Sequence, residues 1–290
     1  QNTQPSRLVP DTAEVPGRPA GTFGDLAAEV RTNRLPTLLD LEEEAAAAED
    51  LPEVSEILGN ADARPVVRFA APADNPDGKP MMAVILMDEG ADLSGAQIGL
   101  PALRSFPYPV SFAVDASLPD ADARMEAYRS EGFEVWAMID LPDAASARDA
   151  EAALEVAFAA LPEAVGLLDG AGNGVQVTRE AADQVTAILA QTGHGFVTQN
   201  RGLNTVQKLA ERSGVPAAAV FRDFDSAGQS PTVIRRFLDQ AAFRAGQEGG
   251  VVMLGRLRED TISALLLWAL QSRASQVAMV PASGLLKGQE

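Results

Sequence analysis

Met81-Met82-Ala83-Val84-Ile85-Leu86-Met87, followed at once by Asp88-Glu89-Gly90, is the stretch whose reading decides the fold. Seven apolar residues in succession, without period-2 alternation, are too few for a free-standing helix core. They suit a strand buried on both faces, as in a parallel sheet. The run breaks into two carboxylates and a glycine, so negative charge sits where the strand ends. In α/β architectures ligands bind at that carboxyl edge, which makes Asp88 and Glu89 the first candidates for chemistry.

The same texture repeats from Pro65 onward. Apolar runs rich in Val, Ile, Phe or Ala occupy 82–87, 109–114, 133–139, 164–168, 195–199, 217–222, 250–254 and 276–280. Helical periodicity fills the gaps. Ser146 to Leu161 places Ala150, Leu154, Phe158 and Leu161 on one face, and Thr178 to Gln191 opens on a hydroxyl N-cap and closes before Gly193, a C′ glycine. Ser230-Pro231 reads as a cap followed by proline at the first helical position. Alternating strand and helix means parallel strands with helical crossovers. Eight such strands fit a closed (β/α) barrel, of roughly 250 residues in its usual form; a doubly wound open sheet is the alternative. No G-x-G-x-x-G follows a strand and no P-loop motif occurs, which favours the barrel.

Residues 1–64 differ. They hold Pro5, Pro10, Pro16, Pro19 and Pro36 among their prolines, and the run Glu42-Glu43-Glu44-Ala45-Ala46-Ala47-Ala48-Glu49-Asp50; five Lys/Arg against 13 Asp/Glu give −8. This reads as a flexible acidic extension, with a docking arm for a partner as the second reading. The barrel is then 65–290. The chain as a whole carries −18, which argues against nucleic acid, whose phosphates demand basic partners. With no cysteine and only His194, thiolate chemistry and His-rich zinc sites are excluded. No apolar run is long enough to span a bilayer. The sequence starts at Gln1, so an upstream signal or membrane anchor stays open.

The residues that follow the apolar runs form a pattern of their own. They are Asp88 and Glu89, Asp115, Asp140, Asp169, Gln199-Asn200-Arg201, Asp223 and Asp225, and Arg256 with Arg258. Each alone reads as a strand end or helix cap. Together they describe a binding rim of carboxylates and guanidiniums.

The order of these motifs resembles the divergent polysaccharide deacetylase family, a branch of the carbohydrate esterase barrels of NodB type, across about 79–288. The matching elements are Met87-Asp88-Glu89-Gly90-Ala91-Asp92-Leu93-Ser94-Gly95, Pro162-Glu163-Ala164-Val165-Gly166-Leu167-Leu168-Asp169-Gly170-Ala171-Gly172-Asn173, Gln199-Asn200-Arg201, Gly214-Val215-Pro216 leading to Asp223, and Gly255-Arg256-Leu257-Arg258. The resemblance implies a distorted barrel of seven or eight strands. It also implies metal-assisted deacetylation of amino sugars in a Gram-negative envelope, with Asp88 in the base position and Glu89 in place of a ligand aspartate.

The departures matter more. Gly170 stands at the motif histidine, and Arg256 and Arg258 stand at the closing histidines; a guanidinium cannot ligate a cation. His194 precedes a strand, at the end opposite the rim, as a turn histidine near a helix C-terminus, where imidazolium is favoured. The expectation is therefore an envelope protein of carbohydrate metabolism with lost or impaired deacetylation and a retained glycan-binding or scaffold role. Arg256 and Arg258 pair with Asp88 and Glu89 in that reading, and no cofactor is expected. One alternative is an active hydrolase with an oxygen-ligated Mg²⁺ or Mn²⁺ on Asp88, Glu89 and Asp169. Another is a structural interaction protein acting through its acidic arm. A carboxylate-pair glycosidase has no pair singled out. Trp136, Trp268, Met81, Met82 and Met87 read as core. Oligomeric state is open.

Overall fold

Every one of the eight apolar runs forms a strand, and every strand pair is parallel. The computed structural model describes residues 64–94, 99–200 and 205–287. The acidic extension expected over 1–64 thus falls, Arg64 apart, outside the described residues, as does Arg201. The strands are β1 (Met81–Asp88), β2 (Ser111–Asp115), β3 (Glu134–Ile139), β4 (Gly166–Asp169), β5 (Gly195–Thr198), β6 (Ala217–Asp223), β7 (Gly250–Arg256) and β8 (Ala278–Met279). Between them lie α1 (Pro65–Arg68), α2 (Leu100–Leu103), α3 (Ala121–Ser130), α4 (Ala147–Ala160), α5 (Arg179–Thr192), α6 (Thr205–Arg212), α7 (Pro231–Glu248), α8 (Glu259–Ala269) and α9 (Ala282–Lys287).

Strand order runs β2-β3-β4-β5-β6-β7-β1, and β1 then pairs with β2, so the sheet closes. That pairing rules out the open doubly wound sheet. β2 meets only the later half of β1, from Ile85 to Asp88; β8 takes the vacant early half beside Met81 and Met82. The result is a seven-stranded barrel with an eighth strand wedged at its base.

The unalternating apolar run of β1 now has its cause. Met82, Val84 and Leu86 pack outward against the helices, while Ala83, Ile85 and Met87 fill the barrel interior. Both sets are withdrawn from water, so neither face carries a polar residue. Trp136 and Trp268 are fully buried, as are Met82 and Met87, and Met81 packs against the barrel interior. Trp136 needs room inside the barrel: a Cβ on Gly166 would lie 2.5 Å from its Cζ3.

Local signals hold where their chemistry is complete. Thr178 Oγ1 accepts from the Ala181 N–H at 3.1 Å and opens α5, and Gly193 closes it in the left-handed region at φ 75°. Ser146 and Asp149 form a capping box on α4. Ser230 makes no side-chain cap bond, so Pro231 at the first helical position starts α7 unaided.

At the N-terminal end of the barrel, two polar residues depart from the sequence reading. His194 is 7% exposed, stacked on Phe158 with centroids 3.9 Å apart, and its Nδ1 lies 2.8 Å from Thr192 Oγ1. Burial pushes its pKa down to about 4, so the imidazole is neutral rather than the cation a helix C-terminus favours. Desolvation outweighs the dipole. Nearby, the Glu134 carboxylate is wholly buried. It accepts from Ser111 Oγ (2.7 Å), Trp136 Nε1 (3.0 Å), the Ser283 N–H (3.0 Å) and Ser283 Oγ, with the Ala71 N–H at 3.4 Å. One side chain thereby ties β2, β3, α9 and the segment after α1.

Candidate functional site

The period-2 alternation of β1 decides where its two carboxylates go. Met87 faces the interior, so Asp88 faces the helices. Asp88 is 0% exposed and accepts Tyr128 Oη at 2.7 Å. Arg124 Nη1 donates to both its oxygens, at 2.9 and 3.1 Å, and the Gly90 and Ala91 N–H groups cap Oδ1 at 3.0 Å each. Arg124 and Tyr128 are one turn apart on α3, which buries Ala121, Met125 and Tyr128 at i, i+4 and i+7. Burial works against the Arg124 cation. Its bonds to Asp120 and Asp88 outweigh that and hold its pKa above the ordinary guanidinium value. The Tyr128 phenol is pushed far up by burial and then by the Asp88 charge, so it stays a donor.

Glu89 lies beyond the strand end and is 47% exposed at its side chain. It sits 3.9 Å from Arg256 Nε, the nearest approach of the expected Arg256–Glu89 pair. Arg256 is committed elsewhere. Its register partner Met87 and the Asp223 partner Leu254 both face the interior, so Arg256 and Asp223 share the mouth. Arg256 Nη1 donates to both Asp223 oxygens at 3.0 Å and to Asp225 Oδ1 at 2.9 Å. Asp225 Oδ2 accepts the Arg256 N–H at 2.7 Å and Thr261 Oγ1 at 2.6 Å. Burial lowers the pKa of Arg256, and the Asp223 and Asp225 carboxylates reverse that. Arg258 is exposed, with Nη1 3.4 Å from the Asp225 carbonyl. The expected convergence of Arg256 and Arg258 on Asp88 is thus corrected: Asp88 pairs with Arg124 and Tyr128 of α3, Arg256 with Asp223 and Asp225, and Arg258 with a loop carbonyl.

Three further rim carboxylates are held by backbone or short side chains. Asp169 is buried and accepts the Val175 N–H (2.6 Å), the Gln199 N–H (3.1 Å) and Gln176 Nε2. Asp140 accepts the Gly172 and Gly174 N–H groups. Asp115 accepts Ser117 N–H and Oγ at 2.8 and 2.7 Å. Asn200 is exposed. Gly170 leaves no room for a side chain: a Cβ there would lie 2.5 Å from the Asp140 carboxyl and from the Ile139 carbonyl. The loop after β4 closes over Asp140 because residue 170 is glycine.

These residues do not fit a divalent ion. Asp88, Glu89 and Asp169 do not converge: two are saturated by protein donors and turned from the interior, and a guanidinium lies beside the third. Among the described residues no group of three or more His, Asp or Glu is arranged to hold a metal. The arrangement binds charge by charge within the protein. What it presents to a ligand is Glu89 and the outer edges of Arg256 and Asp223.

Sequence reasoning missed Arg124, Tyr128, Asp120, Thr261 and Glu134. Alternation carried the missing signal. An acid one residue after an interior-facing Met must face a helix, and α3 offers Arg124 and Tyr128 on its buried side.

The family model described as divergent polysaccharide deacetylase matches residues 85–286, well over half the chain. An uncharacterized protein from Agrobacterium tumefaciens C58 superposes with a TM-score of 0.64 at 18% identity, covering 77% of this chain and 95% of its own. A candidate polysaccharide deacetylase from Mycobacterium smegmatis gives 0.52 at 15%, covering 76% and 93%. A candidate cellobiose-phosphate cleavage protein from Enterococcus faecalis V583 gives 0.54 at 9%, covering 71% and 99%. At such identities the structures speak to the fold alone. No curated protein matches the chain in sequence.

Proposed function

The chain belongs to the divergent polysaccharide deacetylase family, and from that premise we propose that it is a non-catalytic member, a glycan-binding or scaffold protein of the cell envelope. One observation carries the reading. The groups that would serve a metal-dependent hydrolase are engaged with other protein groups: Asp88 with Arg124 and Tyr128, Asp223 and Asp225 with Arg256, and the space at Gly170 with Asp140. A base that accepts an arginine and a tyrosine on the helix side of its strand has no path to a substrate at the mouth. The acyl-transfer chemistry of the family also asks for an ion with an open position for water, and the donor set here does not supply one.

The family resemblance supports a carbohydrate ligand and an envelope location, and the net charge of −18 speaks against nucleic acid. The decisive experiment pairs calorimetric titration of the purified protein with zinc, magnesium and manganese and an assay on acetylated amino-sugar oligomers. Negligible metal affinity with no acetate release, alongside measurable oligomer binding, is the expected result. Tight metal binding with turnover would overturn it and restore the oxygen-ligated hydrolase.

A further inference from the structure

Between the ends of β2 and β3 and the flank of α4 lies a groove of about 440 Å³, within the range of small-ligand and anchor pockets. It borders the barrel mouth, but none of the Asp88 or Arg256 bonds passes through it. Ile139, Ala153, Val156 and Ala157 line it with aliphatic surface, and Asp115 and Asp140 stand at its strand-end side. The groove exists because α4 carries alanines where a bulkier helix would close onto the sheet. Val156 is 64% exposed, one of the few large apolar side chains left in water. Here that exposed side chain adjoins the apolar wall of the groove, so the two form one continuous apolar surface.

The chemistry of the lining selects the occupant. The lining offers no aromatic ring on which a sugar face could stack and no amide side chain, and both of its charged groups are anionic. A cationic, aliphatic segment finds both halves of its complement. Asp115 and Asp140 bound one side, and α4 carries exposed Asp149, Glu151 and Glu155 against Arg148. We propose that this groove receives a basic amphipathic segment of a partner protein. Its aliphatic side chains seat on Ile139, Ala153 and Val156, and its Lys or Arg groups face Asp115 and Asp140. This is helix- or strand-in-groove recognition, with an apolar anchor giving affinity and charge giving register.

A probe of known composition tests it: a fluorescein-labelled peptide with leucines at helical spacing on one face and lysines on the other, titrated into the whole chain. Amide chemical shifts report the location. The expected result is saturable binding with shifts clustered at Ser117, Ala152, Ala153 and Val156. Val156→Asp and Val156→Ser should each weaken it by about tenfold, the scale of one lost anchor. Val156→Asp carries the discrimination, because it adds negative charge. Diffuse attraction to an acidic protein would leave affinity unchanged or raise it, and that outcome overturns the proposal. So does the absence of saturable binding, and so does a chito-oligosaccharide shifting the groove amides while the peptide does not. Val156 is at the surface, so melting curves of both variants should overlay the parent.

Discussion

The Asp88 carboxylate and the Arg124 guanidinium meet at 2.9 Å on the helix side of β1, with Asp88 wholly buried and the Arg124 side chain 12% exposed. A residue that heads the most recognisable motif in the sequence therefore works as half of an internal ion pair. Its second strong donor, Tyr128, comes from the same helix. The pair fastens α3 to the first strand of the barrel.

Asp88→Asn should consequently cost stability. It leaves Arg124 partly desolvated with only Asp120 as anionic partner, and losing one member of a buried pair costs about 3–5 kcal/mol. Urea unfolding measures this directly, and a double-mutant cycle with Arg124→Met isolates the coupling. An unchanged midpoint combined with loss of a deacetylase activity would return Asp88 to the role of catalytic base.

Glu134→Gln should weaken the base of the barrel. The carboxylate accepts from five neutral donors, and an amide presents N–H groups to some of them. Leaving a buried donor facing a donor costs about 1–3 kcal/mol. Thermal melting followed by tryptophan fluorescence suits this variant, since Trp136 Nε1 is one of the five.

How far the sequence carries can be judged from these two acids. The run 81–87 and its seven repeats gave the strands, because a parallel barrel buries both faces and leaves continuous apolar stretches. Asp88 was visible as a strand end, but the face it occupies depends on register. One residue of alternation separates a mouth carboxylate from a helix-facing one. Glu134 was invisible because it opens a strand, and its partners Ser111 and Ser283 are remote in sequence. Arg256 lies within 3.9 Å of Glu89, as the expected pairing asks, but its close partners are Asp223 and Asp225 rather than Asp88. Its neighbour across β6–β7 is set by a register shift between Val220 and Arg222 that no local pattern records.

His194 gives the fold a pH signature. Its folded pKa near 4 lies below the ordinary 6.5, so the unfolded chain takes up the proton first. Stability is full above about pH 6.5 and falls as pH drops toward 4, by on the order of 3 kcal/mol. Among the described residues the ring meets Phe158 and Thr192, with the Arg64 stem against the adjoining Gly193. His194→Gln should flatten the stability profile between about pH 6.5 and 5, above the main carboxylate range. A profile unchanged by the substitution would assign the slope to other groups.

Restoring the missing motif histidine should fail as a repair. Gly170→His places a Cβ 2.5 Å from the Asp140 carboxyl and the Ile139 carbonyl. Overpacking of this kind costs about 1–3 kcal/mol. Zinc affinity should not rise, because Asp169 remains bonded to Val175, Gln176 and Gln199. Calorimetry on Gly170→His showing tight zinc would mean the loop after β4 opens more readily than its bonds suggest.

Arg256 is the group that most resembles a replaced cation, and its removal can test that. It neutralises Asp223 and Asp225 through three Nη1 contacts of 2.9–3.0 Å and reaches Glu89 at 3.9 Å. Arg256→Ala leaves these carboxylates facing one another, and an uncompensated buried charge costs about 3–5 kcal/mol. Arg256→Lys should recover only part, since an ammonium lacks the planar fork. The informative measurement is the melting temperature against magnesium or calcium. Oxygen-rich clusters bind hard cations, so either ion should stabilise Arg256→Ala while leaving the parent unmoved. Equal stabilisation of both proteins would show that the guanidinium does not fill the place of an ion. No stabilisation of either would show that Asp223 and Asp225 separate once Arg256 is gone.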